Sequence, residues 1–183
     1  MAAKHEAAVF MDRDGTLIED TGYVRSASQV RVYPGVRQAL AELNRAGFKL
    51  VLVTNQSGIG RKIFSEADYF AVQAEFLRQL DGRWFDAIYY CPDHPDSPTD
   101  RRKPAPGMLL EAARDLGLNL SGSYMIGDKA ADMEAGRRAG VAASVLVRTG
   151  EGSAEAPHAA ANFVADDFPA AVAWILQRSQ KCG

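Results

Sequence analysis

The sequence of 183 residues predicts a three-layer α/β fold: a Rossmann-like parallel sheet with helices on both faces, one domain over 1–183, and no inserted cap domain. Three observations predict it. Short apolar runs without polar alternation read as strands buried on both faces. They alternate with segments whose apolar residues recur at helical spacing, the order that gives parallel strands joined by helical crossovers. The stretches between them are too short to fold as separate units.

The first run, Ala7 to Met11, reads as a buried strand that stops abruptly at Asp12-Arg13-Asp14-Gly15-Thr16. Leu17 to Pro34 is polar and irregular. Pro34-Gly35 opens a helix carrying Val36, Leu40 and Leu43, and Gly47 stands where a helix C-cap belongs. Phe48 to Val53 is a second strand, running into the small polar cluster Thr54-Asn55-Gln56-Ser57-Gly58. Ser65, followed by Glu66 and Asp68, reads as the N-cap of a helix with Phe70, Ala74, Leu77 and Leu80 on one side, ending near Asp81-Gly82. Phe85 to Tyr90 is a third strand and Cys91 to Arg102 a Pro/Asp/Ser loop. Pro106 to Leu116 is helical, with Gly117 as its stop, and Tyr124 to Ile126 is a short strand ending in Gly127-Asp128. Ala131 to Ala139 is a helix, Ser144 to Val147 a strand, Glu151 to Asn162 a mobile surface loop, and Ala171 to Arg178, preceded by Pro169, a closing helix with Trp174 and Ile175 in core contacts.

Apolar residues make up 47% of the chain and the net charge is −2, which gives no footprint for nucleic acid. The two cysteines, Cys91 and Cys182, argue against a disulfide framework. Met1 to Glu6 lacks the apolar core of a secretory signal, and no apolar run approaches the ~20 residues that span a bilayer. A monomeric cytoplasmic protein without membrane contact is the expectation.

In parallel sheets, ligands bind beyond the carboxyl ends of the strands. The polar clusters after strands one, two and four are therefore delivered to one edge, where Asp12, Asp14, Thr54, Asn55 and Asp128 can meet. A spacing of two puts Asp12 and Asp14 on one side of an extended chain, and like charges placed together need a cation or a shared proton. With Mg²⁺ on Asp12, Asp14 and Asp128, Asp12 is the candidate nucleophile toward phosphorus. Asp14 is then the acid that protonates the leaving oxygen and the base that activates water. Asp132, one helical turn after Asp128, either supports it or lies on the surface. Thr54 offers a hydroxyl, and the main-chain N–H groups of Asn55 and Gln56 offer an anion site, with Ser57 beside them. Lys103 is the candidate fixed cation, and Arg102 can make a bidentate contact with a second phosphate. In isolation, Arg101-Arg102-Lys103 reads better as an ordinary solvated basic patch, and Lys129 alone is similarly ambiguous.

These motifs together resemble the haloacid dehalogenase phosphatase superfamily: Asp12-Arg13-Asp14-Gly15-Thr16, Thr54, Lys103, and Gly127-Asp128 with Asp132. Gly22-Tyr23-Val24, Thr54 to Ile59, Tyr89 to Pro92, Arg102-Lys103-Pro104, Pro106 to Leu110, Gly127-Asp128-Lys129, Asp132-Met133 and Val145 to Gly150 resemble the heptose 1,7-bisphosphate 7-phosphatase family, related to the histidinol phosphatases. The resemblance implies a Mg²⁺-dependent reaction on a sugar bisphosphate used for bacterial glycans. It also implies substrate contacts from Asp20, Thr21, Gly22, Tyr23 and Arg102, with Lys129 at the phosphate. Histidinol phosphate or another small phosphomonoester is the alternative substrate, and a phospho-accepting signalling domain the alternative class.

The family usually holds a structural Zn²⁺ in the loop after strand three, through a C-x-H pair and a later C-x-C pair. Here Cys91-Pro92-Asp93-His94 lacks the histidine at the expected position, and Ser97 to Arg101 holds no cysteine. A tetrahedral structural site wants four N/S ligands. No structural zinc is therefore expected, and Pro92, Pro95, Pro98 and Pro104 would restrict the loop instead.

Overall fold

The computed structural model describes residues 6–180. The expectation that Met1 to Glu6 carries no secretory signal falls largely on residues outside that range, as does Cys182.

Six strands form one parallel sheet: β1 (Ala8–Met11), β2 (Lys49–Asn55), β3 (Ala87–Cys91), β4 (Tyr124–Gly127), β5 (Ala143–Val147) and β6 (Phe163–Ala165). Their order is β3-β2-β1-β4-β5-β6, so the chain reverses its march across the sheet between β1 and β4. Val9 is in register with both Leu50 of β2 and Tyr124 of β4. The crevice at such a reversal, beyond the strands' carboxyl ends, is where this architecture binds ligands. The predicted three-layer arrangement is therefore observed.

Seven α-helices and two short 3-10 helices, Ala27–Gln29 and Leu120–Gly122, complete the described chain; the α-helices are α1 (Val36–Arg45), α2 (Ser57–Gly60), α3 (Glu66–Leu80), α4 (Gly107–Leu116), α5 (Ala130–Ala139), α6 (Gly152–Glu155) and α7 (Phe168–Gln180). Alternation along β1 sorts the layers. Val9 and Met11 join a core with Val36, Leu40, Val72, Phe76, Val172 and Ile175, from α1, α3 and α7. Ala8 and Phe10 join the opposite core with Met108, Leu109, Ala112 and Ala135, from α4 and α5. Every residue of β1 is buried, which is why its sequence is an unbroken apolar run.

The helix signals are realised locally. Ser65 Oγ accepts the Asp68 N–H at 3.1 Å, while Asp68 Oδ2 accepts the Ser65 N–H at 2.7 Å, a reciprocal cap that starts α3. Ile175 is fully buried as expected, whereas Trp174 is only half-buried and stacks on Phe163 of β6 at 5.0 Å.

Several expectations need correction. β3 begins at Ala87 rather than Phe85 and extends to Cys91. β6 and α2 carry too few residues to show a period and were not expected. The segment after β5 is more than a mobile loop: it starts with a turn and α6, and the turn packs against the Asp128 carboxylate. Leu17 to Pro34, although irregular, buries Leu17, Ile18, Val24 and Val30 in the α1/α3/α7 core.

Among the described residues, no helix is long and apolar enough to cross a membrane.

Candidate active site

β1 delivers Asp12, whose N–H still bonds the Ile126 carbonyl of β4 at 3.0 Å. β4 delivers Asp128 one residue past its end. Lys103 reaches in from the loop after β3. Its Nζ donates to Asp12 Oδ1 at 2.7 Å and to the Val53 carbonyl at 2.7 Å, and lies 2.6 Å from Asp132 Oδ1. Asn55 fixes that loop by bonding both main-chain groups of Lys103, at 2.9 and 3.1 Å. Asp12, Lys103, Asp128 and Asp132 are all buried. Asp132 is thus no surface residue: it shares Lys103 with Asp12.

This floor is electrostatically incomplete. Asp12, Asp128 and Asp132 each bring a carboxylate oxygen within 4.8 Å of the others. Burial raises the Asp12 carboxyl to about 6, against the pull of Lys103. Burial, then the charges of Asp12 and Asp132, raise Asp128 to about 8. For Lys103, burial works to remove the charge, but Asp12 and Asp132 outweigh it and hold the ammonium above its ordinary value. Three carboxylates against one lysine leave room for a cation, and hard oxygen donors of this kind suit Mg²⁺. The donor set fits the expected ion.

Backbone packing holds Asp128 in place. Its Oδ2 accepts the Glu151 N–H at 2.9 Å, and Thr16 Oγ1 lies 3.4 Å from its Oδ1. Gly15 and Gly150, both at positive φ, press against its carboxylate so closely that a Cβ at either position would overlap it. Thr149 Oγ1 ties the two loops together by donating to the Gly15 carbonyl at 2.6 Å.

The chain bends at Arg13, and Asp14 turns its carboxylate away from the acidic group. Asp14 Oδ2 accepts from Gln56 Nε2 at 2.8 Å and from Arg13 Nη2 at 3.0 Å. The acidic group therefore takes in Asp132 rather than the expected Asp14 carboxylate. Thr54 Oγ1 accepts from the same Gln56 amide at 2.9 Å. The Gln56 N–H, expected to face a phosphate, instead donates to the Cys91 carbonyl at 2.8 Å, because β2 and β3 remain paired to that point.

Above the floor lies a cleft of about 650 Å³, lined by Asp14, Asp20, Gly22, Tyr23, Asn55, Gln56, Ser57, Arg102, Lys103 and Lys129 among others. Lys129 Nζ sits 3.2 Å from both Asp20 Oδ2 and Glu151 Oε1. Burial opposes its charge, yet Asp128, Asp12 and Asp20 raise it overall. Asp20 Oδ1 also accepts the Gly22 N–H at 2.8 Å, forming the tight turn that carries Tyr23. Thr21 faces Gln29, at 3.3 Å, and is absent from the cleft lining. Arg102 Nη1 is buried without a hydrogen-bond partner.

Arg13, Thr149 and Glu151 were not singled out from the sequence. Arg13 could have been: a charge at the end of an apolar strand, one residue out of phase with Asp12, must point toward the opposite helical layer. Thr149 and Glu151 carry no local signal, since they matter only because β5 ends beside β4.

Residues 19–140 match the family model of haloacid dehalogenase-like hydrolases. A D-glycero-beta-D-manno-heptose-1,7-bisphosphate 7-phosphatase of Photorhabdus laumondii is 43% identical over 180 residues, covering 92% of this chain and 96% of that protein. Its namesake in Escherichia coli K12 is 42% identical over 186 residues, covering 93% and 95%. A solved D,D-heptose 1,7-bisphosphate phosphatase from B. bronchiseptica, complexed with magnesium and phosphate, has a TM-score of 0.86 at 35% identity, covering 94% of this chain and 99% of its own. The chain belongs to the haloacid dehalogenase-like hydrolases and, within them, to the family of the heptose-1,7-bisphosphate 7-phosphatases.

Proposed function

We propose that this protein removes the 7-phosphate of D-glycero-D-manno-heptose 1,7-bisphosphate through a phosphorylated Asp12. The observation that carries the proposal is the pairing of Asp12 with Lys103 at the floor of a cleft whose rim adds Arg102 and Lys129. The names of the relatives favour the β anomer as the substrate to test first.

Asp12 and Asp128 would hold Mg²⁺ through their carboxylates, and Asp14 through its main chain. Bound there, the ion neutralises the acidic group and withdraws charge from the phosphoryl oxygens. Lys103 keeps one Asp12 oxygen fixed, so the other is free to attack phosphorus. As the Asp12–phosphorus bond forms, the bond from phosphorus to the sugar oxygen breaks, and Asp14 gives that oxygen its proton. Asp14, now a carboxylate, takes a proton from water as the water attacks the phosphorus of the aspartyl-phosphate. Inorganic phosphate leaves and Asp12 is restored. Thr54, Asn55, Gln56 and Ser57 border the transferred group, while Asp20, Gly22 and Tyr23 form the sugar side. The unpartnered Arg102 nitrogen supports an anion on its side of the cleft, the place for the second phosphate.

The loop after β3 is proposed to hold no structural zinc. Cys91 Sγ donates to Asp93 Oδ2 at 3.4 Å, burial pushes its thiol up, and His94 Nδ1 accepts the Asp96 N–H at 3.2 Å. Two donors of the required kind in the loop are too few for a tetrahedral site.

Steady-state phosphate release from both heptose bisphosphate anomers and from histidinol phosphate, with Mg²⁺ and with EDTA, tests the assignment. The β-bisphosphate is expected to have the highest kcat/KM, with EDTA abolishing turnover and added Mg²⁺ restoring it. Faster turnover of histidinol phosphate, or full activity in EDTA, overturns it.

A further inference from the structure

Arg13 has no part in the reaction as drawn, and its burial requires a reason. It stands between the two aspartates of the first motif, is fully buried, and is the largest fully buried side chain described. Its guanidinium lies against α3, the layer that Val9 and Met11 also face. Burying a guanidinium carries a heavy desolvation penalty unless its geometry is well matched by partners.

The partners are specific. Arg13 Nε and Nη2 both face Asp14 Oδ1, at 3.2 and 3.1 Å, and Nη2 also faces Oδ2 at 3.0 Å. The opposite end, Nη1, donates to Gln73 Oε1 of α3 at 3.0 Å. The guanidinium carbon lies 5.4 Å from the centroid of the Tyr69 ring, one turn earlier on the same helix. Gln73 Nε2 is left buried without an acceptor. Flipping the amide would satisfy neither end, because it would set two donors against each other. Gln73 thus carries an unsatisfied buried donor while serving Arg13.

We infer that Arg13 is a positioning residue for Asp14, bracing the acid/base carboxylate against α3 through Gln73 and Tyr69, an inference that rests on the proposed phosphatase reaction. Asp14 lies after the end of β1, on a chain that has already bent, and no ladder bond fixes its side chain. The guanidinium fork limits its carboxylate to one plane, and Gln56 meets it from the cleft side. The brace therefore converts a loop residue into one anchored on a fifteen-residue helix, α3. Fixed geometry of this kind is what proton delivery to a leaving oxygen requires.

Leaving groups separate positioning from general structural support. The kcat/KM ratio covers steps only through departure of the leaving group. A sugar alkoxide needs its proton from Asp14, whereas the phenolate of p-nitrophenyl phosphate departs without one. In Arg13→Met, kcat/KM for the heptose bisphosphate is expected to fall about 100-fold, and that for p-nitrophenyl phosphate to stay within about threefold. Gln73→Met loosens the brace at one remove and keeps the guanidinium. It is expected to show the same selective loss at about tenfold, which keeps the inference testable should Arg13→Met not fold. Parallel losses on both esters, or unchanged kcat/KM on both in Gln73→Met, overturn the positioning role. A wild type inert toward both esters instead removes the phosphatase reading beneath it.

Discussion

The floor and the rim of the cleft are built on different principles. Asp12, Lys103, Asp128 and Asp132 are buried, and strand ends and short main-chain bonds hold them. Asp20, Tyr23, Arg102, Lys129 and Glu151 stand outside the strands, partly or fully exposed, and Lys129 is tied to Asp20 and Glu151 by ion pairs alone. A buried charged group tolerates no change of partner, so the floor suits a step common to all phosphomonoesters. A rim of half-exposed ion pairs can be rearranged at little cost, since such pairs contribute only about 0–1 kcal/mol each. Chemistry should therefore reside in the sheet and substrate choice in the loops.

Floor variants are expected to produce the largest effects, without altering which substrate is preferred. Asp12→Asn keeps the shape and removes the attacking oxygen. Phosphate release should drop by about 10⁵-fold or more on every substrate, with the circular-dichroism melt still cooperative. A variant that loses one substrate and keeps another would break the division at its base. Lys103→Met leaves Asp12 and Asp132 facing each other without a cation. Removing one partner from a buried charge cluster costs about 3–5 kcal/mol, so urea denaturation should show a loss of that size together with inactivity. A Lys103→Met protein as stable as the wild type would mean that the lysine does not organise the floor.

The same contrast explains what could be read from the sequence. Apolar runs and their helical partners announced five of the six strands, because burial on two faces leaves an unmistakable composition. Asp12 and Asp128 were legible because each directly follows a strand end and parallel topology sends all such ends to one edge, and Thr54 because it stands in the last two residues of β2; Lys103, in the loop after β3, was legible only together with them. Asp132 was half-legible, its spacing from Asp128 being clear and its link to Lys103 invisible. β6 was missed because three residues, Phe163–Ala165, define no period. The turn of Asp14 toward Arg13 was missed because two-residue alternation holds only while the chain stays extended, and the strand stops at Met11. Glu151 acts through its main-chain N–H, which no side-chain pattern can announce.

Rim variants should give smaller, substrate-selective effects. Arg102→Ala removes from the cleft wall a guanidinium whose Nη1 is unpartnered. KM for the bisphosphate is expected to rise about 10–100-fold, the worth of a charge-assisted hydrogen bond of about 1.5–3 kcal/mol, with kcat little changed. KM for a monophosphate should hardly move. Equal changes on both substrates would place Arg102 with the floor and blur the distinction.

The finest test asks whether the floor is waiting for a cation, and it needs no mutation. Asp128 is raised from 3.8 to about 8 and Asp12 from 3.8 to about 6, both chiefly by burial. A carboxyl group whose folded pKa exceeds its unfolded one binds more protons folded than unfolded between the two values. Its stabilising contribution is fully present below the unfolded value and disappears as pH rises through the folded value. The metal-free protein should therefore lose several degrees of melting temperature from these groups between about pH 4 and pH 8, the span of the Asp128 shift. Mg²⁺ binds the ionised carboxylates, so its stabilising increment must grow across the same interval as binding displaces fewer protons. Differential scanning calorimetry at fixed ionic strength, with EDTA and with saturating Mg²⁺, measures both curves. In Asp128→Asn the downward slope and the growth of the Mg²⁺ increment should both shrink. An increment independent of pH would mean that the ion binds elsewhere, and the floor would then owe its raised carboxyls to burial without a metal to relieve them.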